Sequence, residues 1–271
     1  MKTRSPLKKL AAAALAASAL VGCSVSAPST ANQPVVLPPA AEIISPAFQV
    51  LVDEKSDEHM EHAKKLKEFL AKLALTSEQK TQLKGVVRDA FQRAKSLQAE
   101  IRPIATAPEI DRTALTMAIQ NAMAEDAAQD AQTLEGVRVV LTESQRALIA
   151  DKLIEMSKKE DDAHTKLFEA LMEKAKEQVT MTDAQKEGFS KLKTAFMGYW
   201  KSNRSAYYMV MAAHMHDGNQ ERLRMELAKL NANMPVETMV DFMASLNQEQ
   251  RQKLATWKEK LMEKIQSKLT D

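Results

Sequence analysis

The chain has 271 residues, with 38 Lys and Arg against 36 Asp and Glu for a formal charge of +2, and one cysteine. That balance lacks the basic excess expected of a nucleic-acid binder, and a single cysteine excludes both an intrachain disulfide and a Cys-based zinc site. Six glycines, 4% aromatic residues and an abundance of Ala, Leu, Met, Lys, Glu and Gln argue against a β-rich fold and predict an all-α protein held by a packed core.

Lys2, Arg4, Lys8 and Lys9 open the chain and precede an Ala-rich apolar stretch over 10–22. That stretch falls short of the roughly 20 residues that span a bilayer and reads as a secretory signal peptide. It ends in Leu20-Val21-Gly22-Cys23, which resembles a bacterial lipobox. The resemblance implies that 1–22 are cut away and that Cys23 carries lipid (palmitate among its acyl chains), anchoring the protein to the membrane. The rest of the chain is then near −2 in charge. Ser24, standing where an Asp would signal retention, points to the periplasmic face of the outer membrane. Residues 23–52 form a tether with Pro28, Pro34, Pro38, Pro39 and Pro46 and a single charge, Glu42. At about 3.1 Å per residue in extended Pro-rich chain, it reaches on the order of 90 Å.

Helices are predicted over 53–74, 76–101, 111–139, 142–178, 182–215, 219–231, 236–245 and 247–269. Pro103 and Pro108 end the second of these. Asp217-Gly218 makes a turn, Pro235 suits the first turn of a short helix, and 142–178 is divisible near Asp161-Asp162.

Four segments share one pattern: Leu75-Thr76-Ser77-Glu78-Gln79, Leu141-Thr142-Glu143-Ser144-Gln145, Met181-Thr182-Asp183-Ala184-Gln185 and Leu246-Asn247-Gln248-Glu249-Gln250. Each is a capping box, with Thr or Asn accepting from a free backbone N–H and Gln three residues on reaching back to the cap. The acidic residues within each suit the positive end of a helix dipole. The next residue is basic in all four (Lys80, Arg146, Lys186, Arg251), so the leading Leu or Met lacks the usual apolar partner at that position and must pack elsewhere. The first two boxes are 66 residues apart and the last two 65. Two equally spaced pairs predict an internal duplication, with one unit over 53–160 and a second over 161–271.

On these residues the chain resembles the LTxxQ-motif family of Spy- and CpxP-like periplasmic chaperones and zinc-resistance-associated proteins. Leu75, Thr76 and Gln79, Leu141, Thr142 and Gln145, and Met181, Thr182 and Gln185 carry the match; Leu246, Asn247 and Gln250 depart from it by Asn for Thr. The resemblance implies exported helical hairpins paired into a curved cradle, here a covalent pseudo-dimer that stands as a monomer or assembles as a homo-oligomer. It also implies ATP-independent binding of unfolded or misfolded envelope proteins under stress.

The helix after the third motif carries two apolar stripes. Phe189, Leu192, Phe196, Tyr199, Ala206 and Val210 make one; Met197, Trp200, Tyr208, Met211 and Met215 make the other, with Lys193 and Arg204 within it. The second stripe is either core between the two units or an exposed client-binding surface of Met197, Trp200, Arg204, Tyr208, Met211 and Met215, since Met repacks readily around varied partners. His59 and His62 share a helix face, and His214 and His216 flank Met215, so these four are the candidates for zinc. The 16 methionines raise copper(I). No Gly-rich phosphate loop, no HExxH and no thiol left free after lipidation suggest catalysis or a resident cofactor. The expected function is therefore an envelope holdase or stress protein. The alternatives are a metal-responsive binding protein and a regulatory lipoprotein docking one specific partner.

Overall fold

The computed structural model describes residues 69, 71–158 and 163–270. The signal peptide, Cys23, the tether, His59 and His62 lie outside the described residues. The fold is all-α, with no strand among the described residues. After a helical turn at 71–73 come α1 (Ser77–Ala105), α2 (Arg112–Val140), α3 (Glu143–Ser157), α4 (Ala163–Glu177), α5 (Asp183–Asp217), α6 (Gln220–Asn231), α7 (Val236–Ser245) and α8 (Gln248–Thr270).

From residue 76 onward the helices follow the sequence expectation closely, with one extension, whereas the helix expected over 53–74 lies outside the described residues except at 69 and 71–74. α1 runs past Pro103 to Ala105. So near its end the proline costs one backbone bond, and the next turn is closed by the Thr106 N–H and hydroxyl, each donating to the Arg102 carbonyl at 2.9 Å. The stretch 142–178 divides as foreseen, α3 ending at Ser157 and α4 starting at Ala163.

Each of the four motifs caps a helix. Thr76, Thr142 and Thr182 complete full capping boxes with Gln79, Gln145 and Gln185. Asn247 does the same, its Oδ1 accepting from Gln250 N at 2.9 Å while its own N–H donates to Gln250 Oε1 at 2.8 Å. Leu75, Leu141, Met181 and Leu246, which lead the motifs, are all buried.

The glutamines do more than cap. Gln79 Nε2 donates to the Val140 carbonyl (2.9 Å) and to Gln145 Oε1 (2.8 Å), while Gln145 Nε2 donates to the Leu73 carbonyl (2.8 Å) and back to Gln79 Oε1 (3.2 Å). The second pair repeats this. Gln185 Nε2 donates to the Ser245 carbonyl (2.7 Å) and Gln250 Oε1 (3.0 Å), and Gln250 Nε2 to the Thr180 carbonyl (2.6 Å) and Gln185 Oε1 (3.1 Å). Each pair is a closed clasp in which every amide caps its own helix through oxygen and grips the other helix start through nitrogen. The basic residue that follows reaches back in the second member of each pair. Arg146 donates to the Leu141 carbonyl at 2.8 Å, and Arg251 to the Leu246 carbonyl and to those of Ala107 (2.6 Å) and Pro108 (3.1 Å).

Two apolar clusters form the interior. One joins Leu97 and Ile101 of α1, Leu115, Ile119 and Met123 of α2, Phe189 and Leu192 of α5 and Met239, Val240 and Phe242 of α7. Phe189 and Phe242 meet edge-to-face with centroids 5.5 Å apart. The other joins Ala127, Ala131 and Leu134 of α2, Ala150 and Leu153 of α3, Tyr207, Tyr208, Met211 and Met215 of α5 and Leu223 and Leu227 of α6. Helices from both sides of residue 160 build each cluster. α3 lies along α5 in the most extensive helix pairing described, α2 is flanked by α1 and α6, and α8 rests more thinly on α1.

The clasp gives a direct prediction. Gln145→Glu keeps the cap oxygen but removes the amide donor, leaving the Leu73 carbonyl without its bond from this amide. The loss should be about 1–3 kcal/mol in urea unfolding, whereas Gln145→Glu leaving the midpoint unchanged would show that the clasp contributes nothing.

Candidate functional site

α5 is the longest helix described, and its ends explain its length. Thr182 caps its start, and it stops where Gly218 takes a left-handed conformation (φ 65°), its N–H donating to the His214 carbonyl at 2.9 Å. A side chain at Gly218 would also strike the Arg138 guanidinium, whose carbon lies 2.6 Å from where a Cβ would sit.

The face of α5 proposed from sequence for client binding is interior. Tyr208, Met211, Met215 and Arg204 are buried, and Met197 and Trp200 are half-buried. Trp200 packs on Tyr207 and Tyr208, with ring centroids 5.8 and 6.4 Å away. The cover is α3, whose Ala150 and Leu153 enter the same cluster. A helix apolar on two faces must find two partners; α5 finds α7 for one stripe near Phe189 and α3 and α6 for the other. The sequence pattern shows both stripes but not which helix crosses to meet the second. The large apolar side chains left exposed are instead Met117 on α2, Val139 at its end, Leu148 on α3, Met209 on α5 and Met225 on α6.

The proposed His214–His216 metal pair does not converge. Residues two apart on a helix do not face each other, and here His214 is buried while His216 is exposed. His214 Nε2 sits 3.0 Å from Glu135 Oε2 of α2, and Glu135 is gripped at both oxygens by Arg138 (2.7 and 2.9 Å). Among the described residues no group of three or more His, Cys, Asp or Glu could hold a metal ion. Met123, Met181, Met211, Met215 and Met239 are buried in apolar surroundings, as core residues are.

A second buried polar group was not singled out from sequence. Beside the second cluster, Tyr199 and Tyr207 of α5 meet Asn231, which ends α6, with Asp126 of α2 and Lys258 of α8 near enough to act on one another electrostatically. Tyr207 donates to Asn231 Oδ1, Tyr199 and Tyr207 hydroxyls are 3.1 Å apart, and Asn231 Nδ2 donates to the Met123 carbonyl at 3.2 Å. Asp126 is 5% exposed and Lys258 2%. Burial, reinforced by the neighbouring Asp130 and opposed by Lys258, pushes the Asp126 carboxyl well above the usual carboxylate range. The signal was present in the spacing, since Leu115, Ile119, Ala122 and Asp126 share one helical face, and an Asp on an apolar face is informative.

Comparison with protein-family models, with curated proteins and with solved structures finds no match to this chain.

His214 sets one pH dependence. Burial holds its imidazole below the ordinary value, against the pull of Glu135. A depressed histidine contributes stability that is present above its unfolded value, about 6.5, and is lost as pH falls below that. Between about pH 7 and pH 5, His214→Gln should show a shallower loss of stability than the parent chain in denaturant titrations; identical slopes would remove His214 from the pH response.

Proposed function

We propose that this protein is a non-catalytic, lipid-anchored envelope protein of the LTxxQ kind that binds non-native protein chains without ATP. The observation that carries the reading is the pair of glutamine clasps. An ordinary capping box needs only the glutamine oxygen, yet here all four amide nitrogens tie a motif to its partner motif. The motif therefore has a shared architectural role, as expected of a family signature and not of four unrelated helix starts. The interleaving of helices from either side of residue 160 supports a duplicated chain in which each half completes the other. The basic leader, Leu20-Val21-Gly22-Cys23 and the Pro-rich tether support attachment to the periplasmic side of a membrane, with Ser24 favouring the outer one.

The client surface in this reading is the exposed set Met117, Met209 and Met225 with Val139 and Leu148, rather than the buried stripe of α5. Methionine suits that use because it is unbranched and adapts to irregular partners. The full chain should suppress light scattering from reduced insulin at roughly equimolar ratio without ATP, and absence of suppression would refute the reading. Combined Met117→Gln, Met209→Gln and Met225→Gln should weaken suppression at least about twofold while each shifts stability by no more than about 0.5 kcal/mol, as exposed substitutions do. Undiminished suppression by that variant would place the clients elsewhere.

A further inference from the structure

The methionines of the described residues stand in opposite surroundings. Met117 on α2, Met209 on α5 and Met225 on α6 are 58%, 47% and 47% exposed, and they are three of the five large apolar side chains left open to water. Met123, Met211, Met215 and Met239 are buried. Met156, Met172, Met197, Met234 and Met243 are half-buried, and all but Met197 pack against one of the two apolar clusters. Two helices carry both extremes. On α2, Met117 is open and Met123 closed; on α5, Met209 is open while Met211 and Met215 are closed. A helix turns about 100° per residue, so two positions suffice to send one thioether outward and the next inward. On α6, Leu223 and Leu227 take the inward side and leave Met225 outside.

Exposure decides what an oxygen on the sulfur does. A thioether is apolar, and its sulfoxide is polar and a good acceptor. At an exposed position water solvates that oxygen and the helix loses no packing. Inside an apolar cluster the same oxygen would be buried among alkyl side chains, a costly transfer. Cys23 is the sole cysteine and lies outside the described residues. Among the described residues, thioethers are therefore the sulfur groups that an oxidant meets.

We propose that Met117, Met209 and Met225 are reversible oxidation sites, at which hypochlorous acid removes apolar surface from the folded protein without unfolding it. The sulfur lone pair attacks the chlorine of hypochlorous acid and displaces hydroxide. Water then adds at sulfur, and chloride and protons leave. Sulfur is oxidised by two electrons and chlorine is reduced to chloride, so the net products are the sulfoxide, chloride and one proton. Two thiols of a methionine sulfoxide reductase return the thioether, yielding a disulfide and water. That reversal needs an enzyme to reach the side chain, which the same exposure permits. The modification is independent of what the protein binds. Its effect on client binding rests on the reading above, in which these three methionines belong to the client surface.

The full chain is treated with about one equivalent of hypochlorous acid per exposed methionine, quenched with free methionine and digested for mass spectrometry. Sulfoxide at Met117 should exceed that at Met123, and at Met209 that at Met211 and Met215, by at least about tenfold. The same treatment in urea should level these ratios. The treated chain should keep its helical circular dichroism and its urea midpoint, and should elute earlier from a hydrophobic-interaction column. Reductases for both sulfoxide epimers should restore the original elution. Met117→Leu, Met209→Leu and Met225→Leu together keep the apolar surface without its sulfur and should make elution insensitive to the oxidant. Equal sulfoxide at Met209 and Met211 in the folded chain, loss of helix at that dose, or an elution shift that persists in the triple leucine variant overturns the proposal. Suppression of insulin scattering should fall by at least about twofold on oxidation and recover with the reductases. A chain that shows the oxidation pattern and never suppresses scattering removes the chaperone reading alone.

Discussion

The rest of the architecture depends on a primary amide that carries a donor and an acceptor on one rigid plane. Gln79, Gln145, Gln185 and Gln250 each use the oxygen on their own helix cap and the nitrogen on the partner motif. Glutamate supplies the first function and not the second. Because two helix starts are joined at their first turns, the helices leaving a clasp are set in direction from their origin. α3 leaves the first clasp onto α5, and α8 leaves the second onto α1. Neither crossing needs a long loop, since α2 reaches α3 through Leu141 and Thr142 alone and α7 reaches α8 through Leu246 and Asn247.

Between the clasps the interior is not one apolar mass. α2 runs through both clusters, contributing Leu115, Ile119 and Met123 to one and Ala127, Ala131 and Leu134 to the other, and Asp126 falls where they meet. Asn231 occupies the corresponding place between Leu227 and Val236, at the break that separates α6 from α7. A buried polar band of this kind costs desolvation unless its members satisfy one another. The tyrosine–asparagine chain does so with neutral groups, leaving the ionisable part of the cost to the contact with α8. Burial drives the Tyr207 hydroxyl upward, so that part of the band stays uncharged over the whole range in which Asp126 titrates.

The helices, their caps and the regular spacing of the motifs were legible in the sequence because each is local or repeats along the chain. Thr76 and Gln79, or Asn247 and Gln250, announce a helix start whatever surrounds them. The partner of each glutamine nitrogen was not legible, since nothing in a capping box says which distant carbonyl its amide will reach. The same holds for the α5 stripe. Helical periodicity identified Tyr208, Met211 and Met215 as one face, but exposure depends on whether α3 crosses residue 160 or folds back on its own half, and that is a property of topology. His214 shows the limit from the other side. Its neighbour two positions on suggested a chelating pair, whereas a helix turns about 100° per residue and sends His216 to solvent.

Burial of the α5 stripe changes what binding can mean for this chain. A protein whose methionines and aromatics formed an open concave face would engage clients as it stands. Here the residues best suited to that task are interior, and the large exposed apolar side chains are scattered over four helices, α2 carrying two of them, which is ordinary for a folded surface. Each such residue offers only part of the roughly 1.5–3 kcal/mol that full burial of a large side chain provides, so the described surface suits only weak, distributed contacts. Under the proposed reading, stronger capture of a non-native chain requires more apolar area than the described surface displays, and that area lies beneath its covering helices. Of those, α3 is seated by apolar packing along α5, while α8 combines the Arg102–Glu259 pair with buried Ala255, Leu261 and Met262. If the chain binds non-native proteins as proposed, strength of binding and integrity of the fold are set against each other at the helices that cover this area.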